Sequence, residues 1–238
     1  MKSELLRQGC QMMGILISEF QEEQFMKYYE LLIEWNKVMN LTGITEFDEV
    51  MQKHFLDSLT IVKAIEPQKN ISVLDIGTGA GFPGIPLKIM FPEWNIVLLD
   101  SLNKRIKFLD EVIHQLNLNQ ITTIHGRAED FAKKEGYREN FDLVVSRAVA
   151  NLASLSEYCI PYVKEKGAFI AYKAAQADQE IEESRKAIDI LGGKIQKMIK
   201  FQVPTTNIDR ILVVTEKVKK TPRKYPRKAG VPVKEPLK

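Results

Sequence analysis

The sequence predicts an α/β fold: a doubly wound, mostly parallel sheet of seven strands. Three observations predict it. Short apolar runs alternate with helical periodicities for five rounds. A glycine-rich turn joins the first of these runs to its helix. Two final runs, 194–203 and 208–216, read as a closing antiparallel pair. Residues 1–66 form an N-terminal helical extension on this reading, 67–216 the core, and 217–238 a basic C-terminal tail.

In the extension, Phe25, Tyr28, Tyr29, Leu32, Trp35 and Met39 recur at helical spacing. Residues 40–43 break that helix, and Thr45 with Asp48 resembles a capping box for the next. Phe47, Val50, Met51, His54, Phe55, Ser58 and Leu59 then share one side. These helices either pack on the core or cap a ligand pocket, and His54, just before the first strand, is open to both roles.

The core begins with the strand Val73-Leu74-Asp75-Ile76, followed by Gly77-Thr78-Gly79-Ala80-Gly81-Phe82-Pro83-Gly84 and an apolar segment at 85–91. Pro is favourable at a first helical position, where its missing N–H has no partner to lose. Glycines permit a tight turn and let a ligand lie against bare backbone. A dinucleotide fingerprint counted from Gly77 fails at Phe82; counted from Gly79 it starts late and contains Pro83. The Gly-Lys-Ser/Thr of a P-loop is absent. What fits is acid-x-Gly-x-Gly-x-Gly with Asp75 as the acid, the pattern of Rossmann-like class I methyltransferases, which bind S-adenosylmethionine. Residues 95–100 read as the second strand, ending in Asp100, 21 residues after Gly79. Adenosylmethionine and dinucleotide sites place a carboxylate there for ribose hydroxyls; an Asp starting a helix also suits the position.

A helix follows at 103–115, a third strand at 121–124, and a fourth at 141–147 that ends in Ser146-Arg147-Ala148. The carboxyl ends of parallel strands line the ligand crevice. Arg147 is therefore placed to meet a carboxylate or phosphate, or to cap surface acids. A helix at 152–162, a fifth strand at 168–173 and a helix at 174–191 complete the alternation.

Composition narrows the classes. The chain has 238 residues, 45% of them hydrophobic, and a net charge of +3. Residues 217–238 hold nine Lys and Arg against one acid, a net +8, so residues 1–216 carry −5. A basic tail on an acidic body points to a polyanion, with a merely solubilising tail as the alternative. Cys10 and Cys159 make neither a disulfide framework nor a metal site, so no metal is expected, and Cys159 falls in a predicted core helix. The run 9–17 is a poor signal peptide and no stretch reaches membrane-spanning length, so the expectation is a cytoplasmic protein without membrane contact.

These motifs together resemble the bacterial small-subunit ribosomal RNA methyltransferase G family, also called glucose-inhibited division protein B. The block from Val73 through Gly84-Ile85-Pro86-Leu87 carries the resemblance. It extends to Glu34-Trp35-Asn36-Lys37-Val38-Met39-Asn40-Leu41-Thr42, His54-Phe55-Leu56-Asp57-Ser58, Gly126-Arg127-Ala128-Glu129, Ser146-Arg147-Ala148 and Tyr225-Pro226-Arg227-Lys228-Ala229-Gly230, nearly the whole chain in order.

The resemblance implies methylation of N7 of one guanine in 16S rRNA, on naked RNA or a small-subunit particle, with S-adenosylmethionine as cofactor. It implies that Gly77 and Phe82 line the donor, that Ala128 and Glu129 hold its adenosine end, and that Arg147 touches it. With Asp75, Gly79 and Asp100 these form the expected donor site; no catalytic residue is expected, the mechanism being one of positioning, and Arg147 and His54 are the only residues held open for such a role. Guanine N7 carries a lone pair and no proton, so no general base is required; pyrimidine C5 methylation would instead need a cysteine nucleophile. A non-enzymatic RNA-binding assembly protein and a nicotinamide-dependent oxidoreductase are the rival functions. The enzyme is expected to act as a monomer. The tail, with four prolines, is expected to be loosely held, with Lys219, Lys220, Arg223, Lys224, Arg227 and Lys228 meeting RNA phosphates. Such contacts carry no base information, so losing the tail is expected to leave donor binding nearly constant.

Overall fold

The computed structural model describes residues 3–147 and 150–238; Ala148, the last residue of the Ser-Arg-Ala motif, lies outside the described residues. Seven strands form one sheet: β1 Ser72–Ile76, β2 Asn95–Asp100, β3 Ile121–His125, β4 Phe141–Ser146, β5 Val163–Ala174, β6 Gly193–Gln202 and β7 Asp209–Lys217. Their order is β3-β2-β1-β4-β5-β7-β6. The first five pair in parallel, and β7 runs antiparallel between β5 and β6. From β1 the chain steps outward to β2 and β3, then returns to the other side of β1 as β4. That reversal opens a crevice at the carboxyl ends of the strands. At the far edge, β6 exposes Lys194, Lys197 and Lys200.

Successive strand residues face opposite sides of the sheet. Val73, Leu98, Leu143 and Val145 enter one apolar layer, while Leu74, Leu99 and Val144 enter the other. The first layer also receives the extension. Leu6 from α1 (Glu4–Met12), Phe25, Tyr28 and Leu32 from α2 (Glu19–Met39), and Phe55 are wholly buried beside Val73, Ile85 and Trp94. The second layer is covered by α8 (Leu152–Cys159) and α9 (Asp178–Ile190). Cys10 and Cys159 are both buried free thiols.

Local chemistry fixes the ends. Ser18 and Gln21 form a reciprocal capping box at the start of α2, and Asn40, at φ +49°, ends it. The box expected at Thr45 and Asp48 does not form: α3 (Phe47–Val50) starts at Glu46 without a side-chain cap. Thr42 supplies the hydroxyl in that loop instead, accepting the Ile44 N–H at 3.0 Å. After α3 the helix widens into a π stretch, Met51–Leu56, and continues as α4 (Asp57–Leu59). Pro83 precedes α5 (Gly84–Met90) by one residue rather than opening it. The remaining short helices are α6 (Asn103–Gln115), α7 (Ala128–Phe131) and α10 (Val231–Lys234).

The tail is not loose. Thr221, Tyr225 and Pro232 are buried, and the Arg138 guanidinium donates to the carbonyls of Tyr225 and Thr221, both at 2.9 Å. Arg227 donates its backbone N–H (2.7 Å) and its Nη2 (2.7 Å) to Glu157, which has no solvent exposure. A buried carboxylate without a partner is costly, and the tail supplies the partner. Arg227 is therefore committed to the fold rather than to phosphate. Lys219 pairs with Asp189 at 2.9 Å, and Lys220, Arg223, Lys224 and Lys228 remain exposed.

Removing one member of a buried ion pair leaves the other uncompensated. Arg227→Ala is expected to destabilise the protein by about 3–5 kcal/mol, and Arg227→Ala with Glu157→Gln by clearly less. Urea unfolding of the two variants measures the difference.

Candidate functional site

A cavity of about 820 Å³ occupies the crevice. Its floor is the loop after β1. Gly77, Gly79 and Gly81 all have positive φ, +71°, +62° and +99°, which glycine adopts freely. At Gly79 an added Cβ would meet only the Gly77 carbonyl, at 3.9 Å, so the space beside this backbone is open. At Gly81 it would come within 2.7 Å of the Tyr28 hydroxyl. That hydroxyl, delivered by α2, donates to the Ala80 carbonyl and pins the loop.

Asp75 does not line the cavity. It lies wholly buried beneath the loop, where Oδ2 accepts from Thr78 Oγ1 (2.7 Å) and from the Gly84 N–H (2.8 Å). Burial pushes its carboxyl up to about 7 against these two donors, which favour the ionised form. Its place is structural: it braces the turn and takes the first free N–H of α5.

Asp100 does line the cavity, nearly buried at the end of β2. Oδ2 accepts the Gly79 N–H (2.9 Å), Oδ1 accepts the Leu102 N–H (2.9 Å), and Arg105 pairs with Oδ2 at 3.2 Å. The carboxylate thus ties the glycine loop to β2 before any ligand arrives. Ala128 and Glu129, at the start of α7, form another part of the wall. Glu129 Oε1 accepts the N–H of Gly230 at 3.1 Å, so the tail reaches this wall as well. Losing the tail would therefore remove a hydrogen bond from this wall.

His54, Phe82 and Arg147 stack together. The His54 ring lies 4.4 Å from that of Phe82 at 18°, and the Arg147 guanidinium sits 4.9 Å from the Phe82 centroid. Arg147 Nη2 is 3.2 Å from His54 Nδ1, and His54 Nε2 is 2.8 Å from Thr42 Oγ1. A guanidinium can only donate, so Nδ1 is the acceptor and the ring proton sits on Nε2, bound to Thr42. Burial, then the charge of Arg147, pushes His54 down to about 3. Arg147 Nη1 donates to the Lys53 carbonyl (3.1 Å) and to Asp57 Oδ2 (3.0 Å), and Arg210 pairs with the other Asp57 oxygen at 3.3 Å. Arg147 is thus engaged by the π stretch and α4 rather than by surface acids.

Sequence reasoning missed several of these residues. Asn36 Oδ1 accepts the N–H groups of Leu41 (2.6 Å) and Thr42 (2.9 Å), and both of those residues line the cavity. The conspicuous Trp-Asn and Asn-Leu-Thr run was the available signal. For Tyr28, Gly230 and Asp57 the partners lie 52 to 101 residues away in sequence, so the local patterns they belong to do not show what they bind. A second cavity of about 520 Å³ shares His54 and Arg147 with the first and is lined by Lys53, Asp57, Tyr172, Lys173, Glu180 and Arg210. Among the described residues no group of three His, Cys, Asp or Glu is placed to hold a metal, and no helix is long and apolar enough to cross a membrane.

Residues 21–209 match the protein family described as rRNA small subunit methyltransferase G. A protein of that name from Lachnoclostridium phytofermentans is 54% identical over 97% of this chain and 95% of its own. One from Clostridium tetani is 51% identical over 99% of this chain and 98% of its own. Among solved structures, M. jannaschii TYW2 in complex with AdoMet aligns with a TM-score of 0.56 at 14% identity, covering 74% of this chain and 80% of its own. The ribosomal protein L11 methylase from Lactobacillus delbrueckii subsp. bulgaricus aligns at 0.51 and 20%, covering 69% and 77%. These two show a shared fold.

Asp75 yields a test of the loop's foundation. Its folded-state value, about 7, lies above the 3.8 of a free Asp. The unfolded chain therefore releases this proton first, and the contribution of Asp75 to stability falls as pH rises from about 4 to about 7. Asp75→Asn keeps an acceptor for Thr78 and Gly84 but cannot ionise. The stability of the wild type relative to the variant is expected to decline across that window, as measured by urea unfolding at several pH values.

Proposed function

The chain belongs to the rRNA small subunit methyltransferase G family, S-adenosylmethionine-dependent enzymes that methylate N7 of a guanine in 16S rRNA, and we propose that its donor lies in the 820 Å³ cavity, with the target guanine entering past His54 and Arg147. The observation that carries this reading is the cradle at Gly79. Its backbone is open to the cavity where any side chain would intrude, and the same cavity is lined by two acceptors, Asp100 and Glu129, suited to hydroxyl and amino groups. The residues present fit the donor. When bound, S-adenosylmethionine supplies a methyl group already activated by its sulfonium.

The protein's part is position. Guanine N7 has no proton to remove, and holding reactants in line contributes several kcal/mol, on the order of 7–11 in favourable cases. His54 fits that role and not the role of a base: it is neutral at physiological pH and both ring nitrogens are engaged. Arg147, held by Asp57 and Lys53, stands with His54 between the two cavities, and both stack on Phe82 in the first. The second cavity gives the nucleotide room; its cations Lys53, Lys173 and Arg210 pair with Glu49, Glu180 and Asp57, so a phosphate there would share them with these acids. Lys220, Arg223, Lys224 and Lys228, exposed on the tail, would meet further phosphates without reading bases. This reading is of a monomeric enzyme working in the cytoplasm on rRNA or the small-subunit particle.

Gly79→Val is expected to abolish binding of S-adenosylmethionine while sparing most of the fold, because its side chain takes the donor's place. Asp100→Ala is expected to weaken binding about 10–150-fold, from the loss of a charged acceptor. Calorimetry measures both, and normal binding by folded Gly79→Val would remove the loop from the site. Mapping 7-methylguanosine in rRNA from cells with and without the protein tests the activity itself.

A further inference from the structure

The tail meets the donor cavity between two anchors on one helix. Arg227 is fixed to the fully buried Glu157 of α8 through its backbone N–H and its guanidinium. Five residues on, the Pro232 carbonyl accepts from Ser154 Oγ, also on α8, at 2.7 Å. Between them Gly230, at φ +83°, turns its N–H to Glu129 Oε1. The same helix contributes Leu155 and Tyr158 to the cavity wall. Glu129 is only 6% exposed, and its Oε2 takes no hydrogen bond among the described residues. One oxygen therefore orients the carboxylate and the other is left for a ligand. Lys224 and Lys228, exposed cations, belong to this segment; Lys228 lies directly after Arg227 and two residues before Gly230.

Resting on the donor assignment above, we propose that the C-terminal segment is a positioning strap for Glu129 and that it couples donor binding to RNA binding. With Gly230 in place, Glu129 presents Oε2 to the adenosine end of the donor. The strap in that same conformation presents Lys224 and Lys228 to phosphate. Donor and RNA then stabilise one arrangement of one segment. Linkage requires each to tighten the other by the same factor.

The test compares three full-length or near-full-length proteins, with Ser154→Ala as a fourth. One is intact. One lacks residues 229–238 but keeps Arg227 and so the Glu157 pair. One is full-length with Arg223→Gln, Lys224→Gln and Lys228→Gln. S-adenosylhomocysteine is titrated by calorimetry, alone and in the presence of a 16S rRNA fragment, and RNA affinity is measured with and without it. The deletion is expected to weaken S-adenosylhomocysteine binding about 5–10-fold, as one charge-assisted hydrogen bond is lost. The triple variant is expected to keep that affinity and to bind RNA more weakly, with a shallower salt dependence. In the intact protein S-adenosylhomocysteine is expected to tighten RNA binding at least about 5-fold, and the deletion is expected to lose that gain. Ser154→Ala loosens the second anchor without shortening the chain and should show the same losses in milder form, so the idea stays testable if the shortened chain folds poorly. Wild-type affinity and an undiminished gain in folded deletion and Ser154→Ala proteins would overturn the strap. If the intact protein does not bind S-adenosylhomocysteine at all, the donor assignment fails instead.

Discussion

The structure depends on holding open a turn that has little reason to stay in place by itself. Three glycines in left-handed conformations have more freedom to lose on folding than any other residue type, and they stand between a strand and a helix where the sheet must leave its crevice. The loop is held because four residues on three elements, β1, β2 and α2, bind it. Asp75 takes the Gly84 and Thr78 donors from below, Asp100 takes the Gly79 N–H from β2, Tyr28 reaches the Ala80 carbonyl from the extension, and the Gly77 N–H bonds to Leu99. The shape of the cavity floor is thus set before a ligand enters, which lowers the ordering cost of binding.

The walls follow the same pattern of remote support. Asn36 shapes the 40–42 turn, that turn delivers Thr42, and Thr42 accepts the Nε2 proton of His54, whose tautomer Arg147 sets from the other side of the ring. Arg147 joins the end of β4 to the π stretch, and through Asp57 to Arg210 on β7. A disturbance in the extension therefore reaches the cavity through hydrogen bonds, although the extension contributes few side chains to it.

Most of the sheet was legible in the sequence because buried parallel strands read as continuous apolar runs and each was followed by a helical period. Leu98, Leu99, Val144 and Val145 are cases in point. The glycine loop and the position of Asp100 were legible because a tight turn from strand to helix calls for glycines and Asp100 ends the next apolar run. The order in the tail was not. Its composition, rich in proline and lysine, is that of an unfolded segment, and what orders it is the need of Glu157, 70 residues away, for a positive partner. Asp75 was misread for a related reason: the acid-x-Gly pattern marks the turn, and the sequence cannot say whether a carboxylate sits above that turn or below it. The Thr45 box was a local match that lost to Thr42, whose hydroxyl also serves His54.

The lysines along β6 have a consequence for how this protein tolerates crowding. An edge strand offers unpaired backbone groups to any other chain, and exposed lysines discourage such pairing. Lys194, Lys197 and Lys200 stand on the outermost strand of a sheet that would otherwise accept another. The protection is electrostatic, so it is strongest in dilute salt and weakens wherever anions gather. A protein that works against a polyanion is guarded least at its place of work, and there its sheet edge relies on the break in register between Ile195 and Lys197 of β6 to remain the end of the sheet.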